Sequence, residues 1–182
     1  MLSLKLYTKI ALLSLLPLTS LKGQEILHQD IVYLPESGID FSSLISKFKG
    51  RVIYLDIWAT WCMPCRKELT LKQDIKAFAD FARKNNVVVL YICCDKNGNM
   101  WKNFIETNEM YGYHILANQQ INNTLHTTFS VQRGSHGKRK LQRAFFLPRH
   151  IIIDQSGTVR DSSAQRQGTA LVYRQIEEIL KN

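Results

Sequence analysis

Asp56-Ile57-Trp58-Ala59-Thr60-Trp61-Cys62-Met63-Pro64-Cys65 is the stretch whose reading decides the fold. It closes an apolar run, rich in β-branched and aromatic residues, over residues 52–58, which reads as a strand buried on both faces. It then opens a helical pattern that runs to residue 84, where Asn85-Asn86 breaks it. Two cysteines thus stand at a helix start, spaced so that both sulfurs meet across one turn. Backbone N–H groups at a helix start have no helical partner, and with the helix dipole they favour an anion at Cys62. This lowers the pKa of the thiol and supplies the thiolate that attacks a disulfide. Cys65, one turn further in, is expected to be the less exposed sulfur and to resolve the mixed disulfide. Pro64 suits the first turn, where its missing N–H would have had no partner. Met63 completes the dipeptide between the sulfurs, one of the levers on reduction potential.

Outward from this stretch, a short strand is expected around residues 31–34 and a short helix over 41–48, ending at Gly50. Leu69, Ile75, Phe78, Ala79 and Ala82 are placed to line one side of a single helix over residues 62–84. Residues 87–94 form a second fully apolar run, read as another buried strand. A turn from Asp95 to Gly98 follows, and Trp101, Phe104 and Ile105 suggest a helix. A strand over 113–116 and a helix over 119–129 come next. Residues 150–154 and 157–160 read as strands joined by the turn Asp154-Gln155-Ser156-Gly157, and a helix over 170–180 closes the chain. Alternating strands and helices followed by a hairpin predict an α/β domain with a central mixed β-sheet and helices on both faces. The chemistry would sit at the carboxyl end of the first central strand.

The chain has 182 residues, enough for one domain with a real core, and its 45% hydrophobic and 21% charged residues are those of an ordinary globular protein. Residues 1–23 stand apart: Lys5 and Lys9 precede an apolar segment over 10–18, followed by Thr19-Ser20. This is the pattern of a signal peptide, cleaved or retained as a membrane anchor, ahead of a domain over 24–182. Export to the periplasm is the expectation. In an oxidising compartment four cysteines suit structural disulfides, but a Cys-x-x-Cys loop constrains an unfolded chain little, so function better explains Cys62 and Cys65. A structural zinc site wants four ligands at matching spacings, which Cys93-Cys94 does not complete, and no metal or other cofactor is expected. An inert disulfide in a non-catalytic domain is the remaining reading of the pair.

The formal charge of +9 includes Lys5, Lys9 and Lys22 in the first 23 residues; without them 21 basic side chains face 15 acidic ones. Much of the excess is local, in Arg133, Lys138, Arg139, Lys140 and Arg143. Neither a binding motif nor interleaved aromatics accompany it, so no nucleic-acid partner is expected.

The run from Asp56 to Cys65 resembles the active-site segment of thioredoxin-fold proteins. With the basic, apolar leader, the turn at Asp95 and the helix near Trp101, the chain is most similar to the exported TlpA/ResA-like thiol–disulfide oxidoreductases, over roughly residues 40–168. The resemblance implies a thioredoxin-like fold and exchange of electrons between a membrane thiol donor and protein disulfide substrates. It implies that Asp56 is a buried acid beneath the cysteines, kept protonatable by burial and able to move the proton of Cys65; the plainer reading is an acid hydrogen-bonded near a strand end. It also implies that Pro148 is a cis-proline facing the cysteines, with Leu147 offering its backbone to a bound peptide. Trp61 is expected to border the exposed sulfur and contact substrate, or else merely to pack; Trp58 is expected in the core. The same atoms serve a reductase, an oxidase or an isomerase, and a groove without working thiols would be a binding module.

Two features lie outside the resemblance. Cys93 and Cys94 end the second central run and should point to opposite faces of the sheet, as two small buried residues or as a second redox pair. Residues 131–143 form a basic insertion with a turn suggested by Gly134 and Gly137, either a solvated loop or a guide for an acidic partner. His114, His126, His136 and His150 show no metal spacing and are expected at the surface or in packing.

Overall fold

The computed structural model describes residues 30–96, 98–133 and 142–181. Its centre is a six-stranded sheet in the order β1-β4-β3-β2-β7-β8. These strands are β1 (Ile31–Tyr33), β2 (Ile53–Trp58), β3 (Val88–Cys93), β4 (Gly112–Leu116), β7 (Arg149–Ile153) and β8 (Val159–Asp161). The first four run parallel, and β2–β7 and β7–β8 are antiparallel. The expected mixed sheet is present. β2 and β3 are buried along their whole length because helices cover both faces, which is why their sequences are apolar without alternation.

On one face α1 (Phe41–Ser46) and α5 (Gln119–Phe129) pack Leu44, Ile45, Ile121, Leu125 and Phe129 against Ile53, Leu55, Ile57 and their neighbours. The other face carries α2 (Met63–Leu69), α3 (Lys72–Lys84), α4 (Gly98–Thr107) and α6 (Ala170–Leu180), which bury Leu69, Phe78, Trp101 and Ile176 over Tyr54, Trp58 and Tyr91. Asp154 shapes the β7–β8 turn by accepting from the Ser156 and Thr158 N–H groups at 2.9 and 3.0 Å.

The single helix expected over residues 62–84 is two. α2 ends at Thr70, whose hydroxyl donates to the Lys67 carbonyl at 3.2 Å, and α3 starts after Leu71. The packing explains the break. Cys65 and Leu69 form one stripe and Ile75, Phe78 and Ala82 another. Six residues of straight helix separate Leu69 from Ile75, a rotation that would put the stripes on different sides. Turning the axis at Thr70-Leu71 lets both meet the core.

The basic insertion begins and ends as a hairpin that the sequence did not suggest: β5 (Val131–Arg133) pairs antiparallel with β6 (Gln142–Ala144). Its tip, with Gly134, His136, Gly137, Lys138, Arg139 and Lys140, lies outside the described residues, as does the leader over 1–23. Among the described residues no helix is long and apolar enough to cross a membrane.

Candidate active site

Cys62 caps α2. Its backbone is extended (φ −83°, ψ 99°) and its sulfur accepts from the Cys65 N–H at 3.2 Å, taking one of the donors that a helix start leaves open. Pro64 occupies the first turn, as expected. Cys62 and Cys65 are joined in a disulfide, with Cα atoms 5.3 Å apart. Both are buried, Cys65 the more so, at 1% exposure against 5%. Trp61 and Met63 flank the first sulfur and stand out into solvent at 68% and 70% exposure. Trp58 is fully buried and packs against Phe104 at 5.1 Å, which places it in the core.

The loop between β2 and α2 is held from below by Asp95. Its carboxylate accepts from the Thr60 N–H at 2.9 Å and from the Thr60 hydroxyl at 2.6 Å. The residue read from sequence as the start of a turn is thus a buried clamp on the segment that presents Cys62.

A cleft of about 970 Å³ opens beside the disulfide. Cys62, Trp61, Met63 and Pro64 line it, with Phe146 and Leu147 from the segment before β7. The Leu147–Pro148 bond is cis. Leu147 lines the cleft; Pro148 is half-buried and does not. Cys94 lines it as well, so the reading of Cys93 and Cys94 as two buried residues holds only for the first. Cys93 is fully buried, with its thiol pKa raised by burial. Cys94 is half-buried because the chain leaves the sheet after Cys93, and burial and the Asp95 charge push its thiol up to about 12. At that value it remains a thiol at neutral pH and is a poor nucleophile.

Asp56 lies within β2 and is 2% exposed. Gln167 Nε2 donates to its Oδ2 at 3.2 Å, and Tyr91 in turn donates its hydroxyl to Gln167 Oε1 at 3.0 Å. Burial is the main reason the Asp56 pKa is raised; His150 and the Gln167 hydrogen bond oppose the rise, and Glu68 adds to it. Asp56 Oδ1 is buried without a hydrogen-bond partner, a free acceptor within the core.

His150 extends the sequence reading. It is buried and stacked on Tyr54, as a packing residue would be, but its Nε2 also lies 3.7 Å from Asp56 Oδ2 and 3.3 Å from Glu68 Oε2. Burial disfavours its imidazolium, but the Asp56 charge, the Glu68 carboxylate and a backbone hydrogen bond with Ala164 outweigh this and raise its pKa. The missed signals were present in sequence. His150 heads an apolar strand, as Asp56 interrupts one, and Glu68 follows Cys65 by three residues, on the same side of a helix. His114, by contrast, is a packing residue, fully buried against Tyr91 at 4.7 Å, and burial lowers its pKa to about 4. His126 is exposed, lines the cleft and packs on Phe145. Among the described residues no group of three or more His, Cys, Asp or Glu side chains is placed to hold a metal ion.

A family model described as thioredoxin-like matches residues 50–159. The chain is 24% identical over 120 residues to the "thioredoxin-like protein YneN" of Bacillus subtilis, covering 65% of this chain and 59% of that protein. It is 27% identical over 138 residues to the "thiol-disulfide oxidoreductase ResA" of Bacillus thuringiensis, covering 75% and 66%. The matched part therefore spans less than two thirds of either relative. Among solved structures it resembles the thioredoxin domain of a thiol-disulfide oxidoreductase from Bacteroides vulgatus, with a TM-score of 0.56 and 18% identity over 74% of this chain and 83% of that one. At such identity the likeness is one of fold.

Proposed function

This chain belongs to the thioredoxin-like family, and from that premise we propose that it is an exported thiol–disulfide oxidoreductase that reduces disulfides in other proteins. The observation that carries the reading is the Cys62–Cys65 disulfide at the cap of α2, opening on a cleft with Trp61 and Met63 exposed beside it. A pair so placed can cycle, and exposed apolar side chains next to it offer a surface to a protein substrate.

In the reductive direction the Cys62 thiolate, held by the Cys65 N–H, attacks a substrate disulfide. A mixed disulfide forms and the first substrate sulfur leaves as a thiolate. Asp56 takes the proton of Cys65, and the new thiolate attacks Cys62, releasing the second substrate sulfur. The protein is left as the disulfide and the substrate as two thiols. Trp61, Met63, Pro64 and Leu147 line the groove where substrate binds, and Pro148 sets the path of the Leu147 backbone. A membrane thiol donor returns the pair to the dithiol, and the leader over 1–23 takes the protein to the periplasm as a cleaved signal or holds it at the membrane. The basic segment over 131–143 guides an acidic partner toward the cleft.

The test is substitution of each sulfur. Cys62→Ser should abolish reduction of insulin disulfides by the dithiol-loaded protein, and Cys65→Ser should accumulate mixed disulfides. Retention of insulin reduction by Cys62→Ser would sink the proposal. A redox titration of the pair against glutathione then sets the direction, since a strongly oxidising potential would make the protein an oxidase instead.

A further inference from the structure

A polar cluster stands in the core beneath the cysteine-bearing helix, and of its members only Asp56 has a task in the exchange just described. Asp56 and His150 are partners in the antiparallel register of β2 and β7. Directly opposed residues in such a pair project from the same face. Glu68 reaches the same point from α2, one turn past Cys65. The His150 Nε2 faces both carboxylates, at 3.7 Å from Asp56 Oδ2 and 3.3 Å from Glu68 Oε2.

The remaining contacts fix the ring and the acid. Tyr54 lies nearly parallel to the imidazole, at 6.0 Å and 17°, and Ala164 hydrogen-bonds it through the backbone. Gln167, oriented by Tyr91, holds Asp56 Oδ2 and leaves Oδ1 open. The two carboxylates differ in access. Asp56 is sealed in, whereas the Glu68 side chain is 30% exposed although its Oε2 is buried near the ring, at ion-pair distance from Nε2 and without a hydrogen-bond partner. Asp56 from β2 and Glu68 from α2 are the charges facing the ring; the Tyr54 hydroxyl donates to the Gln165 carbonyl at 3.1 Å, and that of Tyr91 from β3 lies beyond Gln167. Arg166, the cation beside Gln167 in sequence, is taken up by Asp74 at 2.7 Å.

We propose that His150 is a positioning residue of the redox site, whose Nε2 joins the sealed carboxyl of Asp56 to the outward-reaching carboxyl of Glu68 and passes the proton between them. The proposal rests on the oxidoreductase reading above. When Cys65 gives its proton to Asp56, the acid becomes neutral and must be emptied before the next cycle. The imidazolium gives its Nε2 proton to Glu68 and accepts one from Asp56, so the ring recovers its charge. Glu68 then releases the proton to water. One proton leaves Cys65 and one reaches solvent, matching the proton that the departing substrate thiolate takes up, and no electron moves through the relay. Without His150, Asp56 would have no basic neighbour and would hold its proton to higher pH.

The reaction of the reduced full chain with 5,5′-dithiobis(2-nitrobenzoate) reads the two steps separately. The first thionitrobenzoate released reports attack by Cys62, and the second reports resolution by Cys65. Followed from about pH 5 to about pH 9, His150→Gln should leave the first phase within about twofold of the wild type. It should slow the second about tenfold near neutrality, with the pH midpoint moved up by about one unit. A second phase with the wild-type rate and midpoint overturns the relay alone. Absence of both phases from the wild type removes the oxidoreductase reading and the relay with it. If His150→Gln does not fold, the imidazole nitrogen shifts of the wild type serve instead. The ring should titrate above its ordinary 6.5 and its midpoint should move when the disulfide is reduced; an ordinary midpoint indifferent to redox state overturns the proposal.

Discussion

On the face covered by α1 and α5, the central strands present Ile53, Leu55, Ile57, Val88, Leu90, Ile92, Ile151 and Ile153, every one apolar and buried. The alternate residues of the same strands, facing α2, α3, α4 and α6, are Tyr54, Asp56, Trp58, Val89, Tyr91, Cys93, His150 and Ile152. Both faces are dry, yet one holds a carboxylate, an imidazole and two phenols. Burial of polar groups costs free energy unless they find partners. Here Gln167 joins Asp56 to Tyr91, His150 faces Asp56, and the Tyr54 hydroxyl donates to the Gln165 carbonyl at 3.1 Å; the cluster lies under the helix that carries the cysteines. One face is built to hold the sheet together, and the other spends part of that stability on groups that can hold a proton.

The comparison can be broken by experiment. The largest effect should come from the apolar face. Leu55→Ala should destabilise the oxidised protein by about 2–5 kcal/mol in urea unfolding, with little dependence on pH, and a pH-dependent loss would blur the distinction between faces. On the polar face Tyr91→Phe removes a single hydroxyl and leaves Gln167 Oε1 without its donor. It should cost about 1–3 kcal/mol, and no loss would mean that the network is not held in the folded state.

The third effect vanishes in acid and grows with pH. Asp56 has a folded pKa above the ordinary 3.8, so the folded state binds its proton more tightly than the unfolded state does. Its burial therefore costs nothing below the ordinary value and costs progressively more as pH rises through the folded pKa. His150, also raised, contributes stability below its ordinary 6.5 that is lost as pH rises through its folded pKa. Both slopes have one sign, a loss of stability as pH climbs, whereas His114, its pKa lowered by burial to about 4, has the opposite slope. Asp56→Asn removes the first, weakens the second and leaves His114 in place, so the thermal midpoint of the variant should gain on that of the wild type from acid to mildly alkaline pH. Parallel curves would show that the acid is not desolvated. The smallest change in stability is expected at the cleft, where Trp61→Ala, at an exposed position, should stay within about 0.5 kcal/mol while slowing exchange with a protein disulfide more than with a small one.

Much of the fold was legible because burial leaves a direct mark on sequence. Two apolar runs, the first broken only by Asp56, announced the central strands, and the change of period after Trp58 placed the helix start at Cys62. The break at Thr70-Leu71 was legible in principle from the mismatch between the Leu69 and Ile75 stripes. The β5–β6 hairpin was not, since its strands are three residues long and have no apolar face to reveal them.

What the sequence by itself determined is the local chemistry: two sulfurs one helical turn apart, a capping position that favours an anion, and an acid set within an apolar strand. These depend on residues that are neighbours in the chain, whose geometry backbone spacing alone dictates. Only the tertiary structure decided what stands next to Asp56. His150 meets it because β7 pairs antiparallel with β2 in one particular register, Glu68 because α2 crosses above, and Cys94 joins the cleft because the chain leaves the sheet after Cys93. Contacts across such distances in sequence arise when packing closes the two faces of the sheet, and no local pattern encodes which residues that closure brings together.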